Sequence, residues 1–106
     1  MPKFLYKASY TPEGVKGVAA KGGSARRDAI AQLFEAHGGS LETFYFAFGD
    51  TDVYAIGELP DDETATAIAL AINGDGRTTV ESVVLITPET VDAAAKKSVD
   101  YRAPGT

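Results

Sequence analysis

Leu41 to Pro60 reads LETFYFAFGDTDVYAIGELP, and this stretch decides the fold of the 106-residue chain. It reads as two strands joined by a tight turn at Gly49-Asp50-Thr51, with Gly supplying a positive φ and Asp bonding the local backbone. Side chains alternate along a strand, so Phe44, Phe46 and Phe48 share one face and Tyr45 and Ala47 the other. On the returning arm Val53, Ala55 and Leu59 oppose Tyr54 and Ile56. An antiparallel strand with one wet face alternates apolar and polar residues. Neither arm does. Both are expected to be covered on both faces, one by helices and the other by something else.

Working outward from the hairpin, the segment before it is helical. Ile30, Leu33, Phe34 and His37 follow the i, i+3, i+4, i+7 spacing of one buried stripe. Ser24 is the expected cap of this helix over Ala25 to His37, and Gly38-Gly39 its left-handed end. Upstream, Phe4 to Tyr10 reads as a first strand, with Phe4, Tyr6, Ala8 and Tyr10 opposite Leu5, Lys7 and Ser9. Thr11-Pro12 opens a short helical segment ending at Gly22-Gly23, with Val15 and Val18 inward.

Downstream, Asp61 or Asp62 caps a helix to about Asn73, with Ala65, Ile68, Ala69 and Ile72 inward and Gly74 and Gly76 at its end. Thr78 to Ile86 is β-branched-rich and reads as the fourth strand. Val83 and Leu85 face one way; Val80, Val84 and Ile86 face the other. Thr87-Pro88 repeats the cap-then-proline device and starts a further helix to about Ser98. Residues 99–106 read as a frayed tail. The order is strand, helix, strand, strand, helix, strand, then an extra helix: the ferredoxin-like β-α-β-β-α-β arrangement. It leaves one sheet face bare in a single chain. Because the strands are apolar on both sides, a second copy is expected to cover that face, giving a dimeric α+β barrel with an interior cavity.

Composition narrows the function classes. The length fits one domain, residues 1–106, large enough to bury a core. A net charge of −5 disfavours nucleic acid and anionic membrane as partners. The chain has no cysteine, which excludes disulfides, thiolate metal sites and cysteine nucleophiles. MPKFLYKASY lacks the apolar run of a signal peptide and no segment approaches a membrane span, so the expected location is cytoplasmic.

MPKFLYKASYTPEGVKG, GGSARR, FYFAFGDTDV and TPETVDAAAKKSVDYR together resemble the GYD-domain family of small bacterial proteins. The likeness runs from about Pro2 to Arg102. It implies a ferredoxin-like, dimeric α+β-barrel fold and no particular activity. Gly49 and Asp52 match the Gly, Tyr, Asp pattern at the hairpin, with Thr51 at the tyrosine position.

Few residues offer chemistry. Asp50 and Asp52 flank the hairpin tip, where Asp is ordinary turn chemistry; Asp52 is the better candidate for an acceptor at the barrel mouth, because the family pattern includes it. Tyr45 lies among phenylalanines, and a phenol is harder to bury against helices than a phenyl. Tyr45 is therefore expected on the cavity side, with Phe44 and Phe46 under the helices. Lys7 and Ser9 are polar groups on an otherwise apolar face, and Tyr10, with Tyr6 and Tyr54, is open to the same ligand-orienting role. Gly22-Gly23-Ser24, followed by Arg26 and Arg27, reads as a plain cap or as a weak anion site at Ser24 and Arg26. His37, the only histidine, reads as a cap and packing residue at a helix end, with a catalytic role as the alternative. Lys96 and Lys97 read as solvated dipole complements. No metal-ligand spacing and no nucleotide loop are present, so no cofactor is expected.

Three function classes follow. The first is a small-molecule binding module taking an apolar or aromatic-like ligand in the barrel. The second is a cofactor-independent isomerase, cyclase or monooxygenase. The third is a structural homo-oligomer. The helix-covered face is expected to be dry and packed, which leaves the opposite face for a site.

Overall fold

Alternation along the first strand separates two surfaces cleanly. Phe4, Tyr6 and Ala8 are buried along β1 (Lys3–Tyr10), while Leu5, Lys7 and Ser9 between them are half-buried on the other side. A computed structural model describes residues 1–106. After β1 come α1 (Pro12–Lys21), α2 (Gly23–Ala36), β2 (Ser40–Phe46), β3 (Val53–Glu58), α3 (Asp62–Asp75), β4 (Thr78–Leu85) and α4 (Pro88–Ala95). The four strands form one antiparallel sheet in the order β2-β3-β1-β4. The protein is thus α+β, and its element order and strand order agree with the ferredoxin-like arrangement. No helix is long and apolar enough to cross a membrane.

The core lies between the sheet and the helices. Phe4, Tyr6, Val53, Ala55 and Val80 from the strands meet Phe34 of α2 and Ala65 and Ile68 of α3. Phe44 and Phe46 pack against this cluster from the same side, as strand parity requires. Phe34 is 2 % exposed and meets Tyr6 edge to face, with ring centroids 5.7 Å apart. Its ring also lies over Gly57, where a Cβ would stand 2.5 Å from a ring carbon. Any larger residue at 57 would displace the aromatic at the centre of the core.

Helix ends follow their local chemistry, with one exception. Thr11, Asp61 and Thr87 each accept a backbone N–H in the first turn of the helix they precede. Gly38 and Gly76 adopt positive φ after α2 and α3, as glycine readily does. The exception is Ser24. It does not cap α2, which begins two residues before the expected Ala25, at Gly23 behind Gly22, with no side-chain hydrogen bond at its N-terminus.

Other expectations need correction. The positive φ in the hairpin belongs to Phe48 (53°), and Gly49 does not carry it. The turn is wider than a two- or three-residue connection: β2 ends at Phe46 and β3 starts at Val53, so Phe48 lies outside the strand. There Phe48 stacks on Phe46, with centroids 5.4 Å apart and planes 4° from parallel. This stack holds a bulky residue in a region that disfavours a Cβ by about 1 kcal/mol. Val15 is exposed, and of the α1 pair only Val18 is half-buried. His37 leaves the buried stripe of α2 and is exposed.

The largest departure is at the C-terminal end. The radius of gyration is 16.9 Å and the longest dimension 55 Å, against about 13 Å for a compact chain of this size. The excess length matches an arm beyond β4. No residue of α4 is buried, and the helix has no substantial packing against the other elements. Val84, Ile86, Val91, Val99 and Tyr101 are all exposed along β4's end and this arm.

Candidate functional site

The sheet face away from the helices carries no covering element. Strand register sets four side chains in a row across it: Tyr45 of β2 stands opposite Tyr54 of β3, Tyr54 opposite Lys7 of β1, and Lys7 opposite Glu81 of β4. Below this row lie Thr43, Ile56, Leu5 and Val83 in one registered line. Beyond it lies Lys3, whose Nζ donates to Glu42 Oε1 at 2.8 Å. The Glu42 carboxylate, through that hydrogen bond and its charge, holds the Lys3 ammonium above its ordinary range. The face is therefore apolar at its centre, crossed by two phenols and an opposed charge pair, and charged at one edge. Tyr45 is 69 % exposed and Tyr54 41 %, so the row is open in the single chain. The two-sided burial read from the sequence is not completed within one chain.

The expected site residues separate into three groups. Tyr45 and Lys7 share the open face. Asp52 and Ser9 lie where β1 meets the hairpin, and their polar atoms already hold backbone. The Tyr10 N–H donates to Asp52 Oδ2 at 2.8 Å, the Asp52 N–H donates to the Ala8 carbonyl at 2.8 Å, and Ser9 Oγ donates to the Asp50 carbonyl at 3.2 Å. Asp52 thus extends the β1–β3 ladder past its last registered pair, Ala8 with Val53. This gives a physical reason for an acid at that position. Tyr10 is on the opposite, helix-covered side, packed against the core. Tyr6 is buried there too: its hydroxyl donates to the Ala65 carbonyl at 2.9 Å, and burial pushes its phenol above the ordinary range.

The helix-covered side is less closed than its apolar pattern suggests. A cavity of about 30 Å³ lies between α2, α3 and the sheet, bounded by Tyr6, Ile30, Phe34, Phe44, Ile68 and Ile72 among others. The two helices press on opposite edges of the sheet, α2 on β2 and α3 on β4, and have no substantial packing against each other. Beside α1 a second, polar groove of about 410 Å³ opens, with Lys21, Arg26 and Arg77 in its walls. Packing on this side is therefore incomplete at these two spaces.

Of the remaining candidates, Arg26 lines both spaces and Ser24 lines neither. His37 donates from Nδ1 to the Leu33 carbonyl at 2.9 Å, closing the last turn of α2. No three His, Asp or Glu side chains converge in a metal-like group. Sequence reading passed over Glu81 and Thr78, Lys21 and Arg77. Strand parity alone brings Glu81 to the open face. The other three meet only through contacts between distant segments, such as the Thr11 N–H donating to the Arg77 carbonyl at 3.0 Å.

No curated protein and no solved structure matches the chain. A family model described as GYD domain matches residues 4–95, from the first core residue of β1 to the last residue of α4.

Proposed function

We propose that this chain, which belongs to the GYD-domain family, works as a homodimer that binds a small apolar or aromatic-like molecule between two open sheet faces. The carrying observation is the registered row Tyr45, Tyr54, Lys7 and Glu81, set on an uncovered face beside the apolar residues Ile56, Leu5 and Val83. An apolar centre with a charged edge is the anatomy of a protein interface. A few polar groups among apolar walls are the anatomy of a small-molecule pocket. A second copy supports both at once: two faces related by a two-fold axis enclose a chamber with two such rows on its walls. Lys7 and Glu81 suit a two-fold arrangement, since each copy offers one charge of either sign. The exposed apolar residues of the C-terminal arm have no partner in their own chain, and a second copy offers them a surface.

In this reading Tyr45 and Tyr54 provide ring surface and hydroxyls for orientation, and Lys7 provides a single cation. Asp52 and Ser9 hold the hairpin at the chamber's end. The test is calorimetric titration with 2-naphthol, an aromatic with one hydroxyl. Saturable binding is expected in the wild type, weakened in Lys7→Met and abolished in Tyr54→Asp, which places a charge at the centre of the face. Undiminished binding by a monomeric Tyr54→Asp variant would refute the chamber.

A further inference from the structure

We propose that the apolar cavity between α2 and α3 and the polar groove beside α1 form one binding site for a small organic anion bearing a short apolar group. The site lies on the opposite side of the sheet from the proposed chamber. Three residues carry the argument: Tyr10, Arg26 and Thr78 line both spaces, so the cavity and the groove adjoin at a shared wall of these three side chains.

The two compartments differ in chemistry. The cavity, at about 30 Å³, exceeds the roughly 10–15 Å³ that one water needs, yet its walls offer too few polar partners to hold one. It suits a methyl- to ethyl-sized group. The groove is lined by the charged side chains Glu13, Lys21, Arg26, Asp75 and Arg77, three basic against two acidic, in a chain of net charge −5. Arg77 is held between Glu13, at 3.7 Å, and Asp75, at 3.9 Å. Lys21 and Arg26 are in no ion pair. The groove thus has two cations outside any ion pair and a net charge of one positive unit, and one of the two, Arg26, stands in the wall that the groove shares with the cavity.

A guanidinium presents a planar fork that matches a carboxylate bidentately. Placed at the boundary of an apolar cavity, it selects a ligand with a carboxylate and a short aliphatic group a bond or two away. Gly14 of α1 is buried against the Arg77 carbonyl and the Tyr10 ring, and a Cβ there has no room. Inorganic phosphate would satisfy the cations and leave the cavity unfilled. A neutral alcohol would fill the cavity and leave the cations unpaired. A short-chain carboxylate does both.

Amide-resolved NMR titration of the full chain with butyrate, phosphate and 1-butanol in separate arms tests this. Butyrate is expected to shift the amides of Tyr10, Arg26 and Thr78 saturably and to bind more tightly than either other probe. Arg26→Gln is expected to weaken butyrate about tenfold, and Arg26→Lys, which keeps the charge and loses the fork, by less. Tyr54→Asp, which breaks the proposed chamber, is expected to leave butyrate binding unchanged, so failure of one site is separable from failure of the other. Equal binding of butyrate and 1-butanol, absence of saturable shifts at these three amides, or an Arg26→Gln variant indistinguishable from wild type would overturn the site.

Discussion

The two faces of the sheet start from similar residues and reach different ends. On one, Phe4, Tyr6, Val53 and Ala55 are 2–4 % exposed beneath α2 and α3. On the other, Leu5, Ile56 and Val83 are only half-buried, and Tyr45 and Tyr54 are open. Apolar patterning marks both faces as surfaces to be covered, and it does not say by what. The first is finished by the chain's own helices. The second has no element left to finish it, because α4 has no buried residue and no substantial packing against the other elements. Burial thus depends on what the rest of the fold brings to a face, while patterning is a property of the strand.

The contrast is sharpest for aromatic truncation. Phe34→Ala removes a ring packed against Tyr6 and over Gly57 and should destabilise the chain by about 3–5 kcal/mol. Tyr45→Ala, on the open face, should change the stability of the isolated chain by less than about 0.5 kcal/mol. Chemical denaturation of both variants at low protein concentration checks this. Similar losses for the two would erase the distinction between the faces.

Asp52 tests where the hairpin belongs. Its carboxylate holds the Tyr10 N–H, a charge-assisted bond at a half-buried position. Asp52→Ala should lower stability by about 1.5 kcal/mol and increase exchange at the Tyr10 amide. A variant as stable as wild type would free Asp52 for a purely ligand-facing role. Tyr6→Phe removes the hydroxyl that ties the sheet to α3 at Ala65, and should lower stability by about 1 kcal/mol. No change would show that this bond adds nothing beyond the ring's packing.

The smallest expected effect is a pH effect at the α3 cap. Asp61 accepts the Thr64 N–H at 2.8 Å, and that backbone bond holds its carboxyl below the ordinary 3.8. A group depressed in the folded state stabilises in full above its unfolded value, and that stability is lost as pH falls through the folded value. Thermal melts below pH 3.8 should therefore show an acid-dependent loss that Asp61→Asn, which has no proton to gain, partly removes.

Much of this was legible in the sequence. The period-two alternation of FYFAF put Phe44 and Phe46 under the helices and Tyr45 opposite, because parity is fixed once one face is core. Thr11-Pro12, Asp61 and Thr87-Pro88 marked helix starts through local hydrogen bonding, which needs no knowledge of the rest of the fold. Ser24 misled, because α2 begins two residues early, behind Gly22. Gly49 misled in the same way: the strained residue is Phe48, held by its stack on Phe46, a contact that turn propensity does not contain. The neighbouring cavity and groove were illegible for a different reason. Tyr10, Arg26 and Thr78 are far apart in the chain, and their shared wall arises from the gap between α2 and α3.

The most direct test of the contrast between the faces is sedimentation equilibrium of the wild type beside Tyr54→Asp. If a second copy completes the open face, the wild type sediments at twice the 11.1 kDa chain mass and the variant, with a carboxylate at the centre of that face, at the single chain mass while remaining folded. A wild type that sediments as a folded single chain at all concentrations would contradict the account.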